Sequence, residues 1–323
     1  ECSIRRYTEQ LAPKCETFGT AGHFNVEFYY QPQGSDYHTK VCPAPLTPKH
    51  LIQEKVDKSR NDGDYHFNKY AHSLFTGWLI TQIMGLWSGI QLAKSILFPS
   101  QNAAAVSSFN HMHAESSLTI EHAGEISKDN LQIGYTIEEM ATRLEGLLRT
   151  IGLIDNFSPI VYAIGHGSSS VNNTHYAGYD CGACSGRPGS ANARVICHIG
   201  NHPEVRKILN SKGIEIPEST HFIGALHDTS RDEIAFYDDK VLSEGNNRLH
   251  EENKVIFTEA LDLNAKERSR RFVVMNNHQN ANKVHTLVKR RTVSLFEPRP
   301  ELNHATNTLC IVGRRAVTRD LFL

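Results

Sequence analysis

The chain has 323 residues, enough for one large or two ordinary domains and for a substantial buried core. Its 34 Lys and Arg face 35 Asp and Glu, a balance that gives neither the basic field of a nucleic-acid binder nor a trap for acidic substrates. Partners must be argued from local sites, and nucleic acid is not expected among them.

Residues 23–30, HFNVEFYY, read as a β-rich segment, and the prolines at 32, 43, 45 and 48 make the adjoining QPQGSDYHTKVCPAPLTPKH a loop or boundary. Residues 49–72 are polar and helix-compatible, and lead into LFTGWLITQIMGLWSGIQLAKSILF at 74–98. From Ser73 to Ala93 this stretch carries no charge, and Gly85 and Gly89 give a GxxxG spacing, so a membrane span has to be considered. Thr76, Thr81, Gln82, Ser88 and Gln91 dilute it, and its apolar residues recur at helical spacing, which favours a buried or interface helix. Residues 99–130 are small, polar and irregular, as in a mobile connection.

TIEEMATRLEGLLRTIG at 136–152 has Thr136 three residues before Glu139, a capping box, and Gly152 as its stop, so a helix is expected. PIVYAIG reads as a strand ending at Ile164, and SANARVICHIG and NHPEVRKILNSKG as two short helices. THFIGALHDT and DEIAFYD look like strands joined by a polar turn, VIFTEALDLNAKERSRRFVVM like an amphipathic helix, and TLCIVG at 308–313 like a late strand. Alternating strands and helices predict an α/β fold with a mainly parallel sheet flanked by helices. The organisation expected is core at 1–48, a helical insertion and mobile connection at 49–130, and core again at 131–323.

Residues 165–194, GHGSSSVNNTHYAGYDCGACSGRPGSANAR, leave the carboxyl end of a strand, where open α/β sheets carry their sites. Four readings compete. His166 and Cys181 supply an imidazole and a thiol that a glycine-rich loop could fold together on zinc. Cys181 and Cys184 form a single CxxC that could exchange disulfides, although the second cysteine stays in loop. GHGSSS could cradle phosphate, but GxGxxG and GK[ST] are both missing. The fourth reading is a crowded turn, in which Asn172, Asn173, Asp180, Arg187, Asn192 and Arg194 merely satisfy loop backbone. His227 and Asp228, ending a later strand, suit either a metal ligand or its supporting carboxylate, or a simple strand-to-turn cap. KERSRR at 266–271 reads as a solvated basic face.

The chain has 18 histidines and seven cysteines, at 2, 15, 42, 181, 184, 197 and 310, an odd number that suits a reducing compartment better than a disulfide framework. It opens on Glu1 and closes on TRDLFL without a cap, so it reads as a fragment.

The long stretches IGLIDNFSPIVYAIGHGSSSVNNTHYAGYDCGACSGRPGSANAR, GIEIPESTHFIGALHDTSRDEIAFYD and SLFEPRPELNHATNTLCIVGRRAVTR resemble the DabA family of inorganic carbon transporter subunits. The resemblance runs over essentially the whole chain, and ECSIRR at 1–6 is similar to the residues just after that family's Cys-x-Asp-x-Arg motif. It implies a divergent β-carbonic-anhydrase-like fold with zinc held by the Cys and Asp of that motif and by a His and a Cys that fall on His166 and Cys181. Cys184 is then a neighbour of the site. The catalytic Asp and Arg of the family lie upstream of Glu1, so the chain would carry half of the zinc site. The resemblance further implies hydration of carbon dioxide to bicarbonate, coupled to a membrane antiporter-like partner of the DabB type. It implies peripheral association with the cytoplasmic face of the inner membrane, with the uncharged helix at 74–93 as a docking surface. The competing reading is a non-catalytic, zinc-stabilised scaffold for that partner.

Overall fold

The computed structural model describes residues 2–55, 74–97, 112, 116–169, 180–297 and 317. Their strands form two sheets. The first has order β2-β1-β3-β4, with β5 also against β3, from β1 (Tyr29–Gln31), β2 (Thr39–Lys40), β3 (His50–Lys55), β4 (Ser117–Leu118) and β5 (Gln132–Ile133). The second has order β6-β7-β8, from β6 (Ile160–Gly167), β7 (His221–Asp228) and β8 (Glu233–Tyr237). The longest ladder is the parallel one from Ile160↔His221 to Gly167↔Asp228. The chain is therefore α/β, with mostly parallel strands flanked by helices, as the alternation of elements predicts.

Several boundaries differ from the sequence expectation. Phe24 and Asn25 take left-handed backbone at φ 48 and 60, which breaks the expected strand and leaves only Tyr29–Gln31 extended. Residues 50–55, expected to be helical, are β3: Leu51 and Ile52 are buried, and parallel pairing to β1 and β5 overrides local helix compatibility. Strand β6 runs past Ile164, so His166 lies on the strand instead of after it. The expected strand at 308–313 lies outside the described residues.

The helices build two layers around the second sheet. Helix α3 (Ile137–Ile151) has the full capping box of Thr136 and Glu139, and its Met140, Leu144, Leu147 and Leu148 enter the main core. Helix α4 (Ser190–Asn201) follows β6 and packs on β6 and β7, with Ala191, Ala193, Val195, Ile196 and Ile199 buried; α5 (Pro203–Ser211) starts at Pro203 and packs on α3. On the other side lie α6 (Glu244–Ser269) and α7 (Ala281–Thr292). Tyr162 of β6 reaches α6, where its hydroxyl lies 2.9 Å from His250 Nδ1. Helix α6 begins well before the expected start because Ser243 caps it, accepting from the Asn246 amide at 3.3 Å. Helix α1 (Cys2–Leu11) packs on α6, with Arg6 and Tyr7 both bonded to Glu267.

Helix α2 (Leu74–Leu97) behaves unlike the others. Large apolar side chains on it are exposed: Phe75 is 81% exposed, Trp78 64% and Leu86 78%. Among the described residues no helix is long and apolar enough to cross a membrane.

The capping box joins two parts of the fold, because Glu139 also meets His50 at 3.0 Å and accepts from Gln132 at 2.8 Å. Burial pushes the Glu139 carboxyl up, but the Thr136 amide, His50 and Gln132 outweigh it and hold the group below the ordinary carboxylate range. Its stabilisation is thus complete above that range and is lost as pH falls through the lowered value. Thr136→Ala should cost about 1 kcal/mol in thermal or urea unfolding at neutral pH, and Glu139→Gln should flatten the fall in stability below about pH 4.

Candidate functional site

The carboxyl ends of β6 and β7 meet the start of α4, and residues 165–169 and 180–190 lie there. Glycine makes the approach possible. A Cβ on Gly165 would stand 2.4 Å from the Gly189 carbonyl oxygen, so only glycine lets the segment before α4 lie on the strand. The Gly189 amide then donates to the His166 carbonyl at 2.8 Å. His166 itself is half-buried and paired in register with His227.

Cys181 opens a 3-10 turn, Gly182–Cys184, and bridges to Arg187 two residues before that Gly189 contact. The loop from His166 to Cys181 is thereby drawn closed at its neck. The Ser168 amide donates to Asp180 Oδ1 at 2.8 Å, and the Ser168 and Ser230 hydroxyls lie 2.7 Å apart. The Ser169 amide donates to Asp228 Oδ1 at 3.1 Å, and the Ser169 hydroxyl bonds Oδ2 of the same carboxylate. Ser168, Ser169, Asp180 and Asp228 are all buried. Of the loop itself, residues 170–179, with Asn172 and Asn173, lie outside the described residues.

Asp228 makes the strand-to-turn cap that its position suggested. It caps the strand-to-turn transition by accepting from the Ser230 and Arg231 amides at 3.0 and 3.4 Å, and it reaches across to Ser169. Burial pushes its carboxyl up to about 6, against the Ser169 hydrogen bonds and Arg231, which favour the anion. His227 meets Asp232 at 3.2 Å, and Asp232 also accepts from Asn264 and Arg268, each at 2.7 Å. Burial would raise the Asp232 carboxyl, but Arg268 and His227 hold it below the ordinary range. Arg268 therefore turns inward, which corrects the reading of residues 266–271 as a wholly solvated basic face.

Cys184 is fully buried, and its thiol donates to the Gly22 carbonyl at 3.4 Å. A hydrogen bond with Cys181, followed by burial, pushes this thiol up. Gly22 also makes room for Cys181: a Cβ there would stand 2.5 Å from Cys181 Sγ. No sequence motif marked Gly22, whose role arises from a contact across the chain. Asn192 and Arg194 are structural, Asn192 bonding the Val26 and Val41 carbonyls and Arg194 bonding Ser116 and Asp238.

The His166 imidazole and the Cys181 thiol, the latter packed against Gly22, are donors of the kinds that zinc takes. Among the described residues, however, no three His, Cys, Asp or Glu gather closely enough to hold a metal. This chain supplies two candidate ligands.

Comparison with known proteins places these features in a family. The family model described as Probable inorganic carbon transporter subunit DabA matches residues 1–323. The chain belongs to the DabA family. It is 57% identical over 323 residues to a Probable inorganic carbon transporter subunit DabA from Azotobacter vinelandii, covering 100% of this chain and 38% of that protein. It is 53% identical to the protein of that name from Nitrosospira multiformis, covering 99% of this chain and 36% of the relative, and 32% identical to that from Methylococcus capsulatus, covering 100% and 32%. This DabA-family chain thus spans well under half the length of the curated relatives it matches. No solved structure matches it.

Gly22→Ala should displace the Cys181 thiol and cost about 1–3 kcal/mol, as overpacking does in a filled interior. Thermal unfolding, together with the rate of Cys181 modification by a thiol reagent, checks this; unchanged values in both would refute the close approach.

Proposed function

We propose that the chain is part of a zinc-dependent, carbonic-anhydrase-like subunit of an inorganic carbon uptake system, with His166 and Cys181 as two of the zinc ligands. The observation that carries this reading is the closed loop neck, which returns Cys181 to the strand end that holds His166, in a family whose members are named as inorganic carbon transporter subunits. The other two ligands, a Cys and an Asp, belong to the Cys-x-Asp-x-Arg motif that the family resemblance puts upstream of Glu1, together with the Arg that acts beside them. When bound, zinc supplies acidification of water near neutral pH, the chemistry that carbon dioxide hydration to bicarbonate requires. The residues of this chain hold and orient the donors: Gly22 leaves space for the thiol, Cys184 remains protonated on the Gly22 carbonyl, and the buried Ser168–Asp180 contact keeps the neck closed.

Coupling requires a partner, and helix α2 supports a surface for one. Its 24 residues extend about 36 Å, and an exposed apolar helix of that length is stable in water only when covered. The occupant proposed is an antiporter-like membrane subunit of the DabB type, reached from the cytoplasmic face by a peripherally bound protein. The alternative reading is a zinc-stabilised scaffold for the same partner that does no chemistry.

In the full-length subunit, zinc should be present at about one ion per chain and be lost in His166→Ala and Cys181→Ala, with Cys184→Ser milder than Cys181→Ser. Elemental analysis measures this, and full zinc in both ligand variants would refute the assignment. Uptake abolished with zinc retained, on changing the upstream Arg, separates catalysis from the scaffold. Placing charge on the apolar surface of α2, as in Leu79→Glu with Leu86→Glu, should abolish co-purification with the membrane subunit while leaving the zinc content unchanged.

A further inference from the structure

The carboxylates that grip the loop neck have a role the family names do not assign. Consecutive amides leaving β6 are taken by two different acids: Ser168 donates to Asp180, adjacent to Cys181, and Ser169 donates to Asp228 at the end of β7. The first bond ties the loop to itself, and the second ties it to the sheet. Two further contacts reinforce the junction, the Thr229 amide on the Gly167 carbonyl at 2.8 Å and the Ser168–Ser230 hydroxyl pair. Closing a loop of this length around two donors costs chain entropy that a metal would otherwise have to overcome on binding.

We infer that Asp228 is a positioning residue which, through Ser169 and in concert with Asp180, fixes the neck of the loop so that His166 and Cys181 are presented at the strand end before any metal arrives. Asp228 touches neither metal nor substrate in this role. It acts through the backbone of the residues that follow His166, and its buried carboxylate accepts from the Ser169, Ser230 and Arg231 amides at once. Removing the acid leaves those amides without their acceptor in a buried site, which loosens the neck specifically. The inference rests on the zinc reading for its function, but the clamp can be measured without zinc.

The test uses the full-length subunit with Asp228→Ala, Asp228→Asn and Ser169→Ala. In zinc-stripped protein, hydrogen exchange of peptides covering residues 165–169 and 180–184 should accelerate about tenfold or more in Asp228→Ala while residues 137–151 of α3 keep wild-type protection. In the zinc-loaded protein, release to a chelator should be about ten- to a hundredfold faster. Asp228→Asn, which keeps one oxygen for the amides, should fall between wild type and Asp228→Ala. If Asp228→Ala does not fold, Ser169→Ala, which deletes only the hydroxyl donor, should still give a severalfold acceleration of both readouts. Exchange at wild-type rates in these two segments, or an equal loss of protection in α3, would overturn the inference. A wild-type subunit that takes up no zinc, with the selective loss of protection still seen in Asp228→Ala, would overturn the zinc reading and leave the clamp standing.

Discussion

The close approach of Gly165 to Gly189 is the contact on which the candidate site depends. A strand normally keeps the following helix at side-chain distance, but here neither residue has a side chain to interpose, and the Gly189 amide bonds directly to the His166 carbonyl. That contact sets where α4 begins, and hence which residues of the 180–190 segment can return to the end of β6. The neck that joins them is held by hydrogen bonds among buried polar groups, Ser168 to Asp180 and Ser169 to Asp228, because an unmatched amide there would cost about 1–3 kcal/mol.

Charge in this region is arranged by the same need. Asp228 and Asp232 lie four residues apart, both fully buried, yet their carboxyls shift in opposite directions. Asp232 has the Arg268 guanidinium and His227 against it and is held in the charged form. Asp228 has mainly amides and a hydroxyl, and burial prevails. One acid anchors α6 to the sheet, while the other holds the backbone that leaves His166. Asp228 closes β7 and Asp232 immediately precedes β8, at the turn where backbone donors need other partners.

The family relationship and this geometry bear on different parts of the function. Membership in the DabA family follows from the match along the whole chain, and it brings inorganic carbon transport into view through the names of relatives much longer than this chain. The geometry returns the segment that carries Cys181 to the end of β6, beside the residues that follow His166. Cys184 is committed to the Gly22 carbonyl, a contact with a residue 162 positions away. Helix α2 stands apart, its apolar surface turned outward.

Much of the architecture was legible locally. Helix α3 could be read from Thr136, Glu139 and Gly152 because a capping box and a left-handed stop are made by residues within one turn of each other. Helix α5 followed from Pro203 for the same reason, and the position of the His166–Cys181 loop at a strand end followed from the alternation of elements. What the sequence could not decide were the features set by partners far along the chain. Residues 50–55 became a strand because β1 and β5 pair with them, Arg268 turned inward because Asp232 waits there, and Gly22 has no room for a side chain because Cys181 lies against it. Local chemistry fixes caps, turns and periodicity, whereas strand pairing, burial and close approach depend on which distant segments arrive, and only the tertiary structure brings those together.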